Sequence, residues 1–298
     1  MEFAADPLPA TASSAETGPP PIPWVQIGVV FALLVLCYFP VLRHLVGQWN
    51  NEPDYSHGFF VPVVAGYIAW TQREQLLRMP AKANLWGLAI LAWGAGQLIL
   101  GTVGAELFLQ RTAFLISIVG CIYLLCGVAV VRKLAFPLVM LLFMVPPPQV
   151  VFNQITFPLQ LLATRVAEWA LNALNIPALR DGNVLELANQ KLSVVEACSG
   201  IRSLLSLSFL SLVYAFFFDK KVWMRWVLFL FTIPIAIVAN AGRVTVTGIL
   251  SYYQPELAQG FFHSLEGWVI FIVDLIFLMA VHQAINFAYR RTHATTIA

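Results

Sequence analysis

The chain has few charged residues, and this shortage decides its class. Only 11% of its 298 residues are Asp, Glu, Lys or Arg, whereas 59% are hydrophobic and the mean hydropathy is +0.78. An ordinary globular domain is about 25% charged. So few charges cannot cover the surface of a soluble fold. The composition therefore predicts a polytopic membrane protein and excludes a soluble enzyme and a disordered chain.

The chain also has few cysteines and a small net charge. The four cysteines are too few and too scattered for a disulfide framework or a zinc site; they are Cys37, Cys121, Cys126 and Cys198. The formal net charge of +2 gives no basis for nucleic-acid binding. We expect no nucleic-acid partner, no metal and no organic cofactor.

The first 23 residues lack Lys and Arg and are rich in Pro, Ala, Ser and Thr. This composition predicts a disordered tail. The absence of a basic region argues against a cleaved signal peptide. The expected organisation is a tail over 1–23, a membrane core over 24–290 and a short C-terminal tail over 291–298.

Long apolar runs occupy most of the remaining chain. A helix needs about 20 mostly apolar residues to cross a bilayer. Eight runs approach this length, which predicts an all-α bundle of about eight transmembrane helices. The predicted spans are 24–42, 57–71, 85–104, 113–131, 134–150, 199–218, 223–242 and 267–288.

The orientation follows from the bias of Lys and Arg toward cytoplasmic loops. Basic residues cluster between spans two and three, four and five, and six and seven, and after span eight. These places alternate, as cytoplasmic loops must. Both termini are therefore predicted inside, and the outer side receives residues 43–56, 105–112, 151–198 and 243–266.

The longest outer segment contains predicted secondary structure. Residues 151–174 carry apolar side chains at helical spacing, which predicts an amphipathic helix on the membrane or under the bundle; they are Phe152, Ile155, Leu159, Leu162, Val166 and Trp169. Residues 184–187 and 192–195 flank a polar turn at 188–191. This pattern predicts a small hairpin before span six.

Cys198 lies where this hairpin enters span six, close to polar residues. Ser199, Arg202 and Ser203 follow it at helical spacing on one face. A helix N-terminus and a nearby guanidinium both favour a thiolate. The alternative interpretation is a packing stripe of small residues with an inert, buried thiol.

Asn240, Arg243 and His263 fall on the same predicted outer side. Asn240 and Arg243 are three residues apart and share a helix face, although Arg243 is also a plausible interface anchor. A thiolate nucleophile needs an acid/base for the leaving group and a donor for the oxyanion. Cys198, His263 and Arg243 together supply these functions.

His57 is a competing acid/base candidate at the outer start of span two, or else part of an interfacial belt. Asp274 lies within span eight, where a carboxyl must be protonated or paired. Arg202 and Asn240 are its candidate partners.

These motifs resemble the exosortase branch of the exosortase/archaeosortase family from about Asp54 to the end of span eight. The specific signal is Val195-Glu-Ala-Cys-Ser-Gly-Ile-Arg202. Weaker matches in the same order are Tyr55-Ser-His-Gly58, Pro146-Pro-Pro148, Asn240-Ala-Gly-Arg243 and His263. Archaeosortases have Arg where this chain has His263, so it resembles the bacterial branch.

The resemblance implies a sortase-like cysteine endopeptidase/transpeptidase of the bacterial inner membrane, with its site facing the periplasm. It implies substrates with a C-terminal PEP-CTERM signal (Pro-Glu-Pro, an apolar helix and a basic cluster), membrane lipids around the bundle, and an unknown acceptor linked to lipid or polysaccharide. The catalytic residues implied are Cys198, Arg243 and His263. Arg202, Ser199, Asn240 and His57 are expected to support them.

Two other classes of function are compatible with polar residues in a bundle. A transporter would line a midplane path with Asp274, Arg202 and Asn240, but it predicts paired repeats of broken helices, which the sequence lacks. A non-catalytic scaffold for polysaccharide export would tolerate substitution of Cys198, Arg243 and His263.

Overall fold

A computed structural model describes residues 24–188, 191–193, 200–254 and 261–294. The first half contains helices α1 (Trp24–Cys37), α2 (Phe39–Asn51), α3 (Phe60–Thr71), α4 (Arg73–Leu77), α5 (Trp86–Val103), α6 (Leu107–Cys126), α7 (Val128–Lys133) and α8 (Ala135–Met140). A 3-10 helix, Pro53–Phe59, precedes α3, and another, Leu141–Met144, follows α8. The predicted tail over 1–23 lies outside the described residues.

The second half contains α9 (Gln149–Ala173), three short strands and three long helices. The strands are β1 (Ala178–Asp181), β2 (Val184–Leu187) and β3 (Lys191–Ser193). The helices are α10 (Gly200–Phe218), α11 (Val222–Tyr253) and α12 (Phe261–Ala294). The fold is therefore nearly all helical, as the apolar runs predict.

The number of membrane spans differs from the predicted eight. Four helical segments in the described residues are long and apolar enough to cross a membrane, namely α5, α6, α11 and Phe271–Arg291 of α12. Two further pairs of consecutive helices are each bent at a short break, and the number of candidate spans rises to six if each pair forms one span. One is α1 with α2, at 71°, and the other is α8 and its 3-10 turn with α9, at 84°. Eight is therefore not confirmed, because hydropathy reports the composition of a run and not its straightness.

Helices α5 and α6 approach each other closely, and glycine makes this possible. Gly87, Gly94 and Gly101 are buried at seven-residue intervals on α5. A Cβ on Gly87 would lie 2.5 Å from the backbone nitrogen of Leu124 on α6. Small residues at helix interfaces permit such backbone approach in membrane proteins.

The predicted amphipathic helix corresponds to α9, and its two faces are unlike. The side buried in the protein is small and polar, formed by Thr156, Gln160, Ala163, Thr164, Ala167 and Leu171. The predicted apolar stripe is largely exposed, and Trp169 reaches 73%. An exposed apolar face suits a helix that contacts lipid.

The predicted hairpin is present, with a third strand that the sequence pattern did not reveal. β2 pairs antiparallel with β3, placing Val184 opposite Ser193, and β1 pairs with the other edge of β2. β3 covers residues 192–193 of the second predicted strand, and residues 194–195 lie outside the described residues. β1 was missed because its two apolar residues precede its two polar ones, so that the strand shows no alternation.

Helices α10, α11 and α12 pack into a three-helix unit. Leu207 of α10, Ile235 of α11 and Leu278 of α12 belong to one buried cluster. The C-terminal half of α11 leaves this unit and packs on α9 and the sheet, through Val244, Leu171 and Leu185. One long helix thus joins the bundle to the sheet that precedes α10.

Candidate functional site

The structure describes the side chains of some predicted site residues and not those of others. Arg243, Asn240 and His57 have described side chains. Cys198 and Ser199 lie outside the described residues. Arg202 and His263 fall in α10 and α12, but their side chains are outside the description. Roles that need distances to these four residues therefore stay predictions.

Arg243 lies on α11, where the helix passes from the three-helix unit to the sheet. Its side chain is half-buried, and the neighbouring Val244 is fully buried in the cluster formed with α9 and the sheet. Asn240, one turn earlier, is 7% exposed. The packing of α11 therefore encloses Asn240 fully and Arg243 in part.

The described neighbours of Cys198 in the chain also pack near Arg243. Leu192 on β3 packs against the cluster that contains Val244. After Ser193, six residues precede the start of α10 at Gly200, and α10 packs along α11. Six residues span at most about 20 Å. The peptide that carries Cys198 is therefore tethered at both ends to structure packed on α11.

His57 lies in the 3-10 helix before α3 and contacts two other elements. Its Nε2 is 3.2 Å from the carbonyl oxygen of Phe143, and its Nδ1 is 3.4 Å from Oγ of Ser206 on α10. Burial lowers the pKa of His57, although the hydrogen bonds with the backbone of Phe143 and Asp54 oppose this effect. A neutral ring that donates through Nε2 and accepts at Nδ1 satisfies both contacts.

Through these two contacts, His57 connects α10 to the 3-10 helix that follows α8. The sequence analysis gave His57 only one role in the site, as an acid/base that competes with His263. The structure connects it to Ser206, two turns into the helix that follows Cys198. This position fits a residue that holds α10 in place.

Asp274 is fully buried on α12, and neither carboxyl oxygen has a hydrogen-bond partner in the described structure. The predicted pairing with Asn240 is therefore absent among these residues. An unpaired buried charge costs several kcal/mol. Pairing with Arg202, whose side chain lies outside the described residues, and a protonated carboxyl both stay predictions.

A polar network that the sequence analysis missed joins α10, α11 and α12 at the end opposite Arg243. His282 Nε2 is 3.2 Å from Asp219 Oδ2 and 2.8 Å from Asn286 Nδ2, and the Tyr214 hydroxyl is 3.0 Å from His282 Nδ1. Asn286 and the Lys221 amide donate to Asp219, at 3.4 and 2.8 Å. The sequence signal for this network was the four-residue spacing of His282 and Asn286, which puts both polar side chains on one helix face.

The charge of Asp219 is stabilised by these donors. Burial alone would raise the pKa of Asp219. The hydrogen bonds from the Lys221 amide, His282 and Asn286 outweigh burial and bring that pKa below its ordinary value. The network therefore acts as a clamp on three helices and not as part of the predicted catalytic group.

The family of the chain follows from a match that covers most of its length. The model of the transmembrane exosortase family (Exosortase_EpsH) matches residues 49–280. The chain belongs to this family. The match includes all the predicted site residues, from His57 to His263. With its apolar helices, it identifies the chain as a multi-pass membrane protein of the exosortase family.

Comparisons with curated proteins and with solved structures find no match to the chain. Within the described residues, no group of three or more His, Cys, Asp or Glu side chains could hold a metal ion.

Proposed function

We propose that the chain is a membrane-embedded cysteine endopeptidase/transpeptidase that cleaves the PEP-CTERM signal of exported proteins and transfers them to an acceptor. One observation carries the proposal. Arg243 is held half-buried on α11 beside the cluster that anchors β3, and the segment from β3 to α10 contains Cys198. Family membership over residues 49–280 supports the same assignment.

The chemistry uses three residues. The Cys198 thiolate attacks the scissile carbonyl, and Arg243 stabilises the oxyanion of the tetrahedral intermediate. The peptide C–N bond breaks as His263 gives a proton to the leaving amine, which leaves a thioester on Cys198. An acceptor nucleophile attacks the thioester, its proton passes to His263, and the thiolate returns. No metal or organic cofactor is required.

The remaining site residues support this group. Arg202 and Ser199 favour the thiolate at the start of α10, and Asn240 packs one turn from Arg243. His57 holds α10 through Ser206. In this arrangement His57 is a positioning residue and His263 is the acid/base.

The orientation follows from the charge bias of the loops, and the bacterial inner membrane from the resemblance to bacterial exosortases. The protein lies in the bacterial inner membrane with both termini in the cytoplasm, and Cys198 faces the periplasm. The apolar helix of the substrate enters the bilayer beside the bundle, with its basic cluster inside. This places the Pro-Glu-Pro motif at the level of Cys198. The acceptor is linked to a lipid or a polysaccharide.

The test is a processing blot with a reporter that ends in a PEP-CTERM tail. Wild type should remove the tail, and Cys198→Ala should abolish removal at equal membrane levels. Cys121→Ala, in the middle of α6, is the matched control and should process normally. Normal processing by Cys198→Ala would show that Cys198 is not the nucleophile. The transporter and the scaffold would then remain as alternatives.

The same blot tests the other two roles. Arg243→Lys keeps the charge but loses the planar fork, so we expect a loss of about 100-fold or more. Arg132→Lys, at the opposite end of the bundle, is its control. His263→Ala should process far less than His57→Ala. The reverse order would exchange the roles of the two histidines.

A further inference from the structure

A cavity of about 690 Å³ lies between α2 and the start of α6, away from Cys198 in the sequence. Its lining includes Arg111, Arg43, His44 and Gln48. Glu52 is the acidic residue among those that line it. The cavity therefore carries an excess of positive charge.

Arg111 supplies a buried cation with unused donors. The residue is only 4% exposed, and its Nε has no hydrogen-bond partner in the described structure. The nearby carboxylates of Glu52 and Glu106 attract Arg111 electrostatically, but neither forms a hydrogen bond with it in the described structure. Glu52 accepts from Gln48, and Glu106 caps the first turn of α6 at Leu109. A buried guanidinium without a hydrogen-bonded anion is costly, and an anionic ligand in the cavity would remove that cost.

Gln48 adds an unused acceptor to the same cavity. Its amide nitrogen donates to Glu52, while its Oε1 is buried and accepts no hydrogen bond in the described structure. A ligand that fits both Gln48 and Arg111 has an anionic group next to a donor such as a hydroxyl. A phosphate ester with a hydroxylated headgroup has both.

The position of the cavity favours a lipid as the source of this phosphate. α6 is a candidate membrane span, and Arg111 lies four residues after its start, about 6 Å along the axis. In the predicted topology this position lies just outside the span that begins at residue 113, beside the lipid headgroups. Phe39 and Leu107 on the lining are 57% and 42% exposed and offer an apolar surface for acyl chains. Arg43 and His44 are exposed at the same cavity.

We propose that this cavity is a binding site for one anionic phospholipid whose headgroup carries a hydroxyl, of the phosphatidylglycerol type. Arg111 binds the phosphate, assisted by Arg43, and Gln48 Oε1 accepts from the headgroup hydroxyl. The site does not depend on the chemistry proposed for Cys198.

The test is native mass spectrometry of the full chain released from phosphatidylcholine nanodiscs that contain a minor fraction of phosphatidylglycerol. Wild type should retain one phosphatidylglycerol, and Arg111→Gln should lower its retention at least tenfold. Arg132→Gln removes the same charge from α7 and should retain the lipid as wild type does. If Arg111→Gln does not fold, the exposed Arg43→Gln should still lower retention several-fold.

Three results would overturn the proposal. Equal retention by wild type and both cavity variants would show that the cavity does not hold the lipid. Equal retention of phosphatidylcholine would remove the role of the hydroxylated, anionic headgroup. Thermal stabilisation by inorganic phosphate or by a glutamate-containing peptide, dependent on Arg111 while phosphatidylglycerol has no effect, would assign the cavity to a soluble anion or a peptide.

Discussion

The imidazole of His57 shows how a single residue can carry a measurable pH dependence. Burial lowers its pKa in the folded protein, below the value of about 6.5 expected in the unfolded chain. Between these two values the unfolded state binds the proton and the folded state does not. Stability contributed by neutral His57 is therefore present above pH 6.5 and is lost as the pH falls toward the folded pKa.

We predict that His57→Gln reduces this dependence. Gln cannot titrate, so the difference in melting temperature between wild type and variant should shrink from pH 7.5 to pH 5.5. The measurement is thermal unfolding in detergent across this range. A difference that grows toward low pH would mean that His57 is stabilised in its charged form. Because the comparison is between two proteins, the other histidines cancel.

At the residue scale, the candidate site was only partly predictable. The Cys-Ser-Gly-Ile-Arg and Asn-Ala-Gly-Arg motifs are visible as polar residues at helical spacing in apolar runs, because polarity is rare there. The contact of His57 with Ser206 joins residues 149 positions apart, and no periodicity reports such a distance. The packing of α11 near Arg243 against the sheet likewise could not be predicted from the sequence, because it depends on the tertiary structure.

At the scale of elements, the α5–α6 pair gives a prediction with an internal control. Gly87→Ala places a methyl group 2.5 Å from the backbone nitrogen of Leu124, and backbone cannot move aside as a side chain can. We expect a loss of about 1–3 kcal/mol in the free energy of unfolding. Gly96, on the same helix, has nothing within 4 Å of a Cβ. Gly96→Ala should be neutral or stabilise by up to about 1 kcal/mol.

Unfolding in detergent, followed by circular dichroism, distinguishes the two glycine variants. Equal stability of Gly87→Ala and Gly96→Ala would contradict the close approach of α5 and α6. The comparison holds helix propensity constant, since both positions lie in one helix. Only the contact with α6 differs between them.

The clamp of Asp219, His282 and Asn286 gives a second prediction for packed elements. Asp219→Asn keeps the size of the side chain but loses the charge that accepts from three donors. We expect a loss of about 1–3 kcal/mol at neutral pH. Because the folded pKa of Asp219 is lowered, its stabilisation is complete above about pH 4, the ordinary value, and is lost as the pH falls further.

The measurement is the melting temperature of Asp219→Asn beside that of Asp181→Asn, an exposed strand residue that serves as control. The gap between wild type and Asp219→Asn should narrow below pH 4. An unchanged melting temperature at neutral pH would show that the three helices do not depend on the clamp.

At the scale of the whole molecule, the orientation in the membrane is open to a direct test. The loop charges predict that the sheet lies outside and that the end of α7 lies inside. In a Cys198→Ala background, Asp181→Cys should react with an impermeant maleimide on intact cells. Lys133→Cys should react only after the membrane is permeabilised. The opposite pattern would place Arg243 at the cytoplasmic face and remove the basis for a periplasmic site.

The sequence by itself determined the class of the protein, the main helical segments, the hairpin before α10 and the motifs of the family. These features follow from composition and from short periodicities, which depend on neighbouring residues along the chain. The tertiary structure decided which apolar runs are straight, which face of α9 is buried, and which helices meet at His57, Asp219 and Arg111. Those outcomes depend on contacts between residues far apart in sequence, where packing and the pairing of buried polar groups select one arrangement among many.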